Sequence, residues 1–323
     1  VFGLMIVRNE ADILRTNLLH HLALGVDRFL IVDNGSEDGT DAILENLSRD
    51  ERIAWTRDSG PYRQSEIVSS LALEAYLRGA DWVVPIDADE FWYAPGGDFR
   101  GVLEESSVGA LRVEVVNYIQ RREQHETAPD ILVSMTRRAP EAVGPLGRVR
   151  ELVNSQVNAF VEVVYAPKWI SRASLGLHIG VGNHEVSGVS GTLEKTDRIL
   201  CLHAPLRSKS VFLAQVVHGQ RVREVGNLKA WHCLRWQELA SRGELDREWR
   251  ANSYEDGTLD VYGVSHPVVE DLRLRDLVAP WIGREIDAES DARSQPRSRG
   301  FGLDQSRPEG SLVVPERSMR IQV

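Results

Sequence analysis

Short apolar runs alternate with amphipathic segments through residues 1–90, and this alternation decides the fold class. Runs at 2–7 (FGLMIV), 28–32 (RFLIV), 53–56 and 82–86 have strand length and end in polar loops. Between them Ile13, Leu14, Leu18, Leu22 and Ala23 repeat at helical spacing, as do Ile43, Leu44 and Leu47. Ile67, Leu71, Ala75 and Tyr76 do the same within 63–78. Asn9 is placed to cap the first helix, with Asp12 in a capping-box-like position, and Gly25 and Gly79 supply stops. The order β-α-β-α-β-α-β implies an α/β fold with a mostly parallel, Rossmann-like sheet and helices on both faces. Ligands of such sheets lie beyond the strand carboxyl ends. The polar clusters at 8–10, 33–40 and 87–90 all fall there.

Beyond residue 100 the pattern weakens. Segments 110–116 and 158–164 read as strands, 120–150 as exposed loop, and 166–207 as a loop-rich stretch holding His178, His184 and His203. Residues 210–250 read as helical. From 284 the chain is rich in Arg, Ser, Gly, Pro and acids and lacks periodicity, so a poorly ordered tail is expected, with some strand character at 311–314. The expected organisation is an α/β domain over 1–207, a helical region packed on it over 208–283, and the tail over 284–323. A net charge of −10 argues against a non-specific nucleic-acid binder. The two cysteines, Cys201 and Cys233, form no metal-type spacing and favour a reduced, cytoplasmic setting. No apolar run is long enough for a transmembrane helix, which leaves peripheral membrane association open.

The chemistry concentrates in VVPIDADEFW, residues 83–92, where a buried-type strand runs straight into Asp87, Asp89 and Glu90. Ionised carboxylates resist burial unless paired or bound to a metal. Two carboxylates separated by Ala88 can reach one hard cation, Mg²⁺ or Mn²⁺, which takes oxygen ligands and shares its shell with phosphates. An aspartyl-phosphate signature of the D-x-D-x-T kind would need Thr where Phe91 stands. The third reading is a solvated strand-end turn.

Taken together, MIVRNEADILRTNLLHHLALGVDRFLIVDNGSEDGT and PIDADEFW resemble glycosyltransferase family 2 proteins with the GT-A fold. The resemblance is to the branch with N-E-x-x-x…H-H-x-x-x-G, D-N-x-S-x-D-G-T and D-x-D-E-F motifs. It covers about the first 95 residues, and LHAPLRS at 202–208 is similar to that branch's H-Y-x-x-R-S element. Thr16-Asn17 replaces its Glu-Trp, Ala204 its late aromatic, and Gln215 stands near its lysine. The resemblance implies a metal-dependent, inverting glycosyltransferase using a nucleotide-diphospho-sugar donor and a carbohydrate or other hydroxyl acceptor. It implies that Val7, Asn9 and Glu10 lie under the nucleotide and that Asp33 meets base or ribose. Asp87, Ala88 and Asp89 would hold the donor diphosphate, with Asp87, Asp89 and His203 as ligands of Mn²⁺ or Mg²⁺.

Other residues carry two readings each. Arg63, with Arg57, Tyr62 and Gln64, lines the nucleotide edge or merely begins a helix. Lys168 and Arg207 neutralise phosphate or are solvated. His178 and His184, flanked by glycines, contact ligand or sit in a plain loop. Trp92 is an acceptor platform or a core aromatic. His20 and His21, adjacent in a helix, are expected to be structural, one buried and one near the surface. An inverting transferase needs a base for the acceptor hydroxyl. Glu126, Asp130, Glu151 and Glu185 are candidates, and Glu151, before an apolar stretch, is the first choice. A nucleotidyltransferase would share the layout but show a basic Gly-rich loop after the first strand, and Val7-Arg8-Asn9-Glu10 is not one. An inactive nucleotide-sugar binder would usually lack the acidic pair. No G-x-G-x-x-G follows the first strand, which sets aside a dinucleotide oxidoreductase.

Overall fold

The structure, a computed structural model, describes residues 1–224 and 231–284. Eight strands form the central sheet: β1 (Phe2–Val7), β2 (Arg28–Asp33), β3 (Ile53–Arg57), β4 (Trp82–Pro85), β5 (Glu90–Tyr93), β6 (Ala110–Asn117), β7 (Lys168–Arg172) and β8 (Leu193–His203). Their order is β3-β2-β1-β4-β7-β6-β8-β5. The expected α/β class is therefore observed, and β1 to β4 pair in parallel. The second half is mixed: β7 is antiparallel to β4 and β6, and β5 is antiparallel to β8. This has a functional consequence. The carboxyl ends of β1, β4, β6 and β8 share one edge, and the antiparallel β7 and β5 bring their first residues, Lys168 and Glu90, to that same edge.

Helices α1 (Leu14–Leu24), α2 (Thr40–Leu47) and α3 (Gln64–Leu77) connect the first strands. Phe2 and Leu4 of β1 and Leu30 and Val32 of β2 pack with Val68, Leu71, Ala72 and Ala75 of α3 on one face. On the other face Gly3 leaves room for the Phe29 ring, which a Cβ would meet at 2.4 Å, and α1 packs through His21 on Phe29 and Phe91. Gly25, at φ 115°, ends α1 as expected. Asn9 does not cap α1: the cap position is Ile13, and Asn9 adopts φ 57° and accepts the Glu37 N–H.

Both His20 and His21 are buried, so neither is near the surface. His20 Nε2 bonds the Trp92 carbonyl at 2.8 Å, and burial pushes its pKa down to about 4. His21 accepts the Trp92 N–H at Nε2 and bonds the Asn17 carbonyl through Nδ1. Together they bolt α1 to β5.

Residues 158–164 are not a strand. They form a buried loop whose Ala159, Phe160, Val161 and Val163 enter a second core. That core also takes Ile119, Val153, Leu206 and side chains of α6 (Lys209–Glu224), α7 (Trp231–Ser241) and α8 (Leu245–Ala251). The helical expectation for 210–250 holds for the described residues, but these helices share a core with residues before 207. Residues 120–150 are not all exposed loop, since Ile131, Leu132 and Met135 are buried. The expected tail and its strand at 311–314 lie outside the described residues. Among the described residues no helix is long and apolar enough to cross a membrane.

Candidate functional site

The loops beyond β1 and β2 are knitted together by backbone donors. Asn9 N–H donates to Ser36 Oγ, Glu10 N–H to Thr40 Oγ1, and Ala11 N–H to Asp38 Oδ2. Asp33 is fully buried and spends Oδ1 on the Ser36 N–H and hydroxyl, while Arg57 Nε lies 3.6 Å from Oδ2. Asp33 thus shapes the loop, and its neighbour Asn34 faces the cleft beyond the strand ends. Asn34 donates to the Asp58 carbonyl, and its buried Oδ1 accepts nothing from the described residues.

The cleft measures about 980 Å³. Of the residues singled out in the sequence, Val7, Asn9, Glu10, Asp87, Ala88, Asp89, His184 and His203 line it. So do Tyr62, Gln64, Tyr165, Lys168, Trp169, Glu185 and Arg207. A second hollow of about 1070 Å³ lies against α6 and α7 and is lined by Arg150, Trp231, Arg235 and Glu238. It gathers none of the strand-end residues, so the smaller cleft is the candidate site.

Asp33, buried under its loop, is outside the lining, and four more expected residues stand elsewhere. Trp92 is fully buried in β5 and is a core aromatic, because β5 pairs with β8 on one side and is bolted to α1 on the other. Arg63 precedes α3, with its side chain 63% exposed and paired with Glu66. His178 is exposed on a short strand and meets Ser65 Oγ at 3.2 Å. Glu151 is 62% exposed on α5 (Val149–Asn154) and takes a bidentate Arg148 at 2.9 Å, outside the cleft lining. Its place before an apolar stretch reflects burial of the opposite helix face, where Val153 enters the core. Besides Tyr62, the aromatics that line the cleft are Tyr165 and Trp169. The Tyr165 ring lies 4.7 Å from the His203 ring, tilted by 51°. Their signal, an aromatic on each side of Pro167-Lys168, was hidden in a stretch without strand periodicity.

Neither Lys168 nor Arg207 is solvated: they are 1% and 2% exposed. Arg207 grips Asp12 through Nε and Nη2 at 2.6 and 2.9 Å and Glu10 through Nη2 at 2.6 Å. Lys168 Nζ donates to Asp87 Oδ2 at 2.7 Å and lies 2.6 Å from Glu90 Oε1, an ion pair without hydrogen-bond alignment. Burial opposes the charge on Lys168, but Asp87 and Glu90 outweigh it and hold its pKa well above the ordinary value. Five carboxyls (Glu10, Asp12, Asp87, Asp89, Glu90) thus share two buried cations. The surplus shows in the acids. Burial pushes Glu10 up to about 8, with Asp89 and Asp12 adding to it against Arg207. Burial likewise pushes Glu90 up to about 7. Asp89 goes the other way: burial opposes its charge, but the imidazolium form of His203, Arg207 and Lys168 together outweigh burial and lower its pKa, the imidazolium occupying the place that a cation would take between the two side chains.

Among the described residues no group of three His, Cys, Asp or Glu converges to hold a metal ion unaided. Two donors do face each other. His203 Nε2 lies 3.4 Å from Asp89 Oδ2, while His203 Nδ1 lies 2.8 Å from Asn117 Oδ1. An amide oxygen only accepts, so a neutral imidazole carries its proton on Nδ1 and points the Nε2 lone pair at the carboxylate. Two lone-pair donors at that separation fit a cation between them, and an outer partner that fixes the tautomer is usual for metal-binding histidines. Register explains the meeting: His203 ends β8, opposite Asn117 on one side and Glu90 on the other.

No family model matches the chain. Curated proteins named glycosyltransferase family 92 do match. One of Oryza sativa subsp. japonica is 35% identical over 105 residues, 32% of this chain and 18% of that protein. One of Arabidopsis thaliana is 32% identical over 136 residues, 39% and 23%. One of Ricinus communis is 29% identical over 137 residues, 40% and 25%. The matches span only about a fifth to a quarter of these relatives. They carry the name of family 92, whereas the motifs resemble family 2. Two solved structures overlay loosely. TarS 1-349 of S. aureus is 12% identical, covering 68% of this chain and 65% of that one at a TM-score of 0.36. A mannosyltransferase of Pyrobaculum calidifontis, in complex with GDP-Man and Mn²⁺, is 15% identical, covering 68% and 61% at 0.33. At these scores the overlays assign no residue a role.

Proposed function

We propose that this protein is a glycosyltransferase with a GT-A-type fold that moves a sugar from a nucleotide-diphospho-sugar to an acceptor hydroxyl, with inversion. The observation that carries the reading is the meeting of Asp89 and His203 at the strand-end cleft, with the imidazole tautomer set by Asn117. The names of the curated relatives support the reaction class. Asp89 and His203 would hold a divalent cation at the end of the cleft where the donor diphosphate binds. An imidazole in the set favours Mn²⁺ over Mg²⁺. When bound, the cation neutralises the leaving diphosphate.

The chain's own groups do the rest. Val7, Asn9 and Glu10 floor the cleft beside Asn34. Of the four carboxylates weighed as base from the sequence, Glu185 alone lines the cleft. It takes the proton of the acceptor hydroxyl as that oxygen attacks the anomeric carbon, and the nucleoside diphosphate leaves from the opposite face.

The test is calorimetric titration of UDP, GDP, CDP and dTDP with Mn²⁺ and with EDTA, on the wild type and Asp89→Asn. One nucleotide should bind with Mn²⁺ alone, and Asp89→Asn should weaken it at least about tenfold, the loss of one charged ligand. No binding of any nucleotide, or equal affinity in the variant, would overturn the reading.

A further inference from the structure

The two aspartates of the D-A-D turn have different surroundings. Asp89 faces a histidine lone pair. Both oxygens of Asp87 are already taken: Oδ2 by Lys168 Nζ at 2.7 Å and Oδ1 by Asn183 Nδ2 at 3.1 Å. Lys168 is not a mobile surface cation that a metal could push aside. It is 1% exposed at the start of β7, and Nζ also donates to the Gly182 carbonyl at 2.8 Å.

The same two residues reach the opposite wall of the cleft. Gly182 and Asn183 form a turn in which both residues are left-handed, at φ 71° and 59°. A non-glycine residue in that conformation persists only where surrounding contacts hold it. The contacts here are Gln64 Oε1, which accepts the Gly182 N–H at 2.8 Å, and the Lys168 and Asp87 bonds. One strand residue on, Trp169 Nε1 donates to the His184 carbonyl at 2.9 Å. His184 and Glu185, which follow the turn, line the cleft.

We propose that Asp87 is not a metal ligand in this protein but, with Lys168, a positioning pair that clamps the 181–185 turn to the donor side of the cleft. Lys168 is the built-in counter-cation of Asp87, and the cation site is left to Asp89 and His203. The pair acts on the reaction through the turn: it fixes where His184 and Glu185 stand relative to the donor. The inference rests on the transferase reading for its kinetic part and on geometry alone for its structural part.

Lys168→Met would strand the buried Glu90 and the half-buried Asp87 and could unfold the chain, so Asp87→Asn is the informative variant. Its amide oxygen still accepts from Lys168, but the charge pairing is lost, and the Asn183 contact becomes one between two neutral amides in which Asn183 must flip to present its unused Oδ1. Three readouts on the wild type, Asp87→Asn and Asp89→Asn decide the matter. Hydrogen exchange of the 180–186 amides should rise at least tenfold in Asp87→Asn and stay unchanged in Asp89→Asn. Mn²⁺-dependent nucleotide affinity should stay within threefold in Asp87→Asn and be lost in Asp89→Asn. In transfer assays Asp87→Asn should lower kcat at least tenfold with the donor KM within threefold. Unchanged exchange at 180–186, or loss of Mn²⁺-dependent binding in Asp87→Asn comparable to Asp89→Asn, would overturn the proposal. If the wild type binds no nucleotide, the transferase reading fails, while the exchange result still decides whether the clamp exists.

Discussion

Glu10→Gln tests whether the cleft truly carries more carboxyls than its cations can neutralise. Burial pushes Glu10 up to about 8, so it is largely neutral at pH 7 although Arg207 favours its anion. Asp12 is the reason Arg207 does not prevail. It already takes two guanidinium nitrogens, so a second anion beside Asp89 is in excess. A carboxyl raised from 4.5 to about 8 binds more protons in the native state than in the unfolded one between those values. Stability is then full below about 4.5 and is lost as pH rises through about 8. The whole interval is worth at most about 5 kcal/mol, and water in the open cleft at a side chain 21% exposed reduces that to an expected ~1–2 kcal/mol. Gln imitates the protonated acid and removes the loss. Thermal unfolding at pH 5 and pH 9 should show the variant close to wild type at pH 5 and higher in Tm by about 2–8 °C at pH 9, at ~2–4 °C for each kcal/mol. A variant that melts lower than wild type at pH 9, or shifts equally at both pH values, would refute the charge surplus and make Glu10 an ionised partner of Arg207.

Three other outcomes are expected. Glu151→Gln should leave turnover within twofold and stability within about 0.5 kcal/mol by urea titration, because an exposed pair with Arg148 contributes little. Asn117→Ala should weaken Mn²⁺ binding by about 10- to 100-fold, read by calorimetry, because it frees the tautomer of His203. Asp271→Ala should cost about 2–3 kcal/mol in denaturant, since the buried carboxylate accepts from Tyr118, Arg138 and Arg273. Burial opposes its charge but these partners lower its pKa, so the contribution is present above the ordinary carboxylate range and lost as pH falls below it.

The first four strands were legible because each is a run of apolar residues closed by a polar loop, and parallel pairing buries both faces. β7 was not: KWISR opens and closes on a cation and becomes a strand through its pairing with β4 and β6. β8 begins LEKTDR, shifts register between Lys195 and Leu200, and turns apolar only near its end. The opposite error occurred at 158–164, whose apolar residues serve a loop in the helical core. The site divides the same way. Asp87, Asp89 and Glu10 stand at the ends of legible strands. The pairing of His203 with Asn117 depends on the register of β8 against β6, and no local pattern encodes a register between distant strands.

The antiparallel strands also explain how three carboxylates can follow a buried strand at all. In an all-parallel sheet the edge that binds ligands receives only strand ends and the loops after them. Here β7 runs the other way and delivers Lys168 at its first residue, under the D-A-D turn, where it sits between Asp87 and Glu90. One internal cation thus supports two of the acids, Arg207 supports Asp12 and part of Glu10, and Asp89 keeps its charge with the fewest partners fixed in place. Burial, with the neighbouring acids adding to it, raises Glu90 and Glu10 to about 7 and 8, so protons meet part of the remaining excess. On the proposed reading a divalent ion at Asp89 and His203 takes over part of that task, so the acids that look most costly to bury are those that hold the fold ready for it.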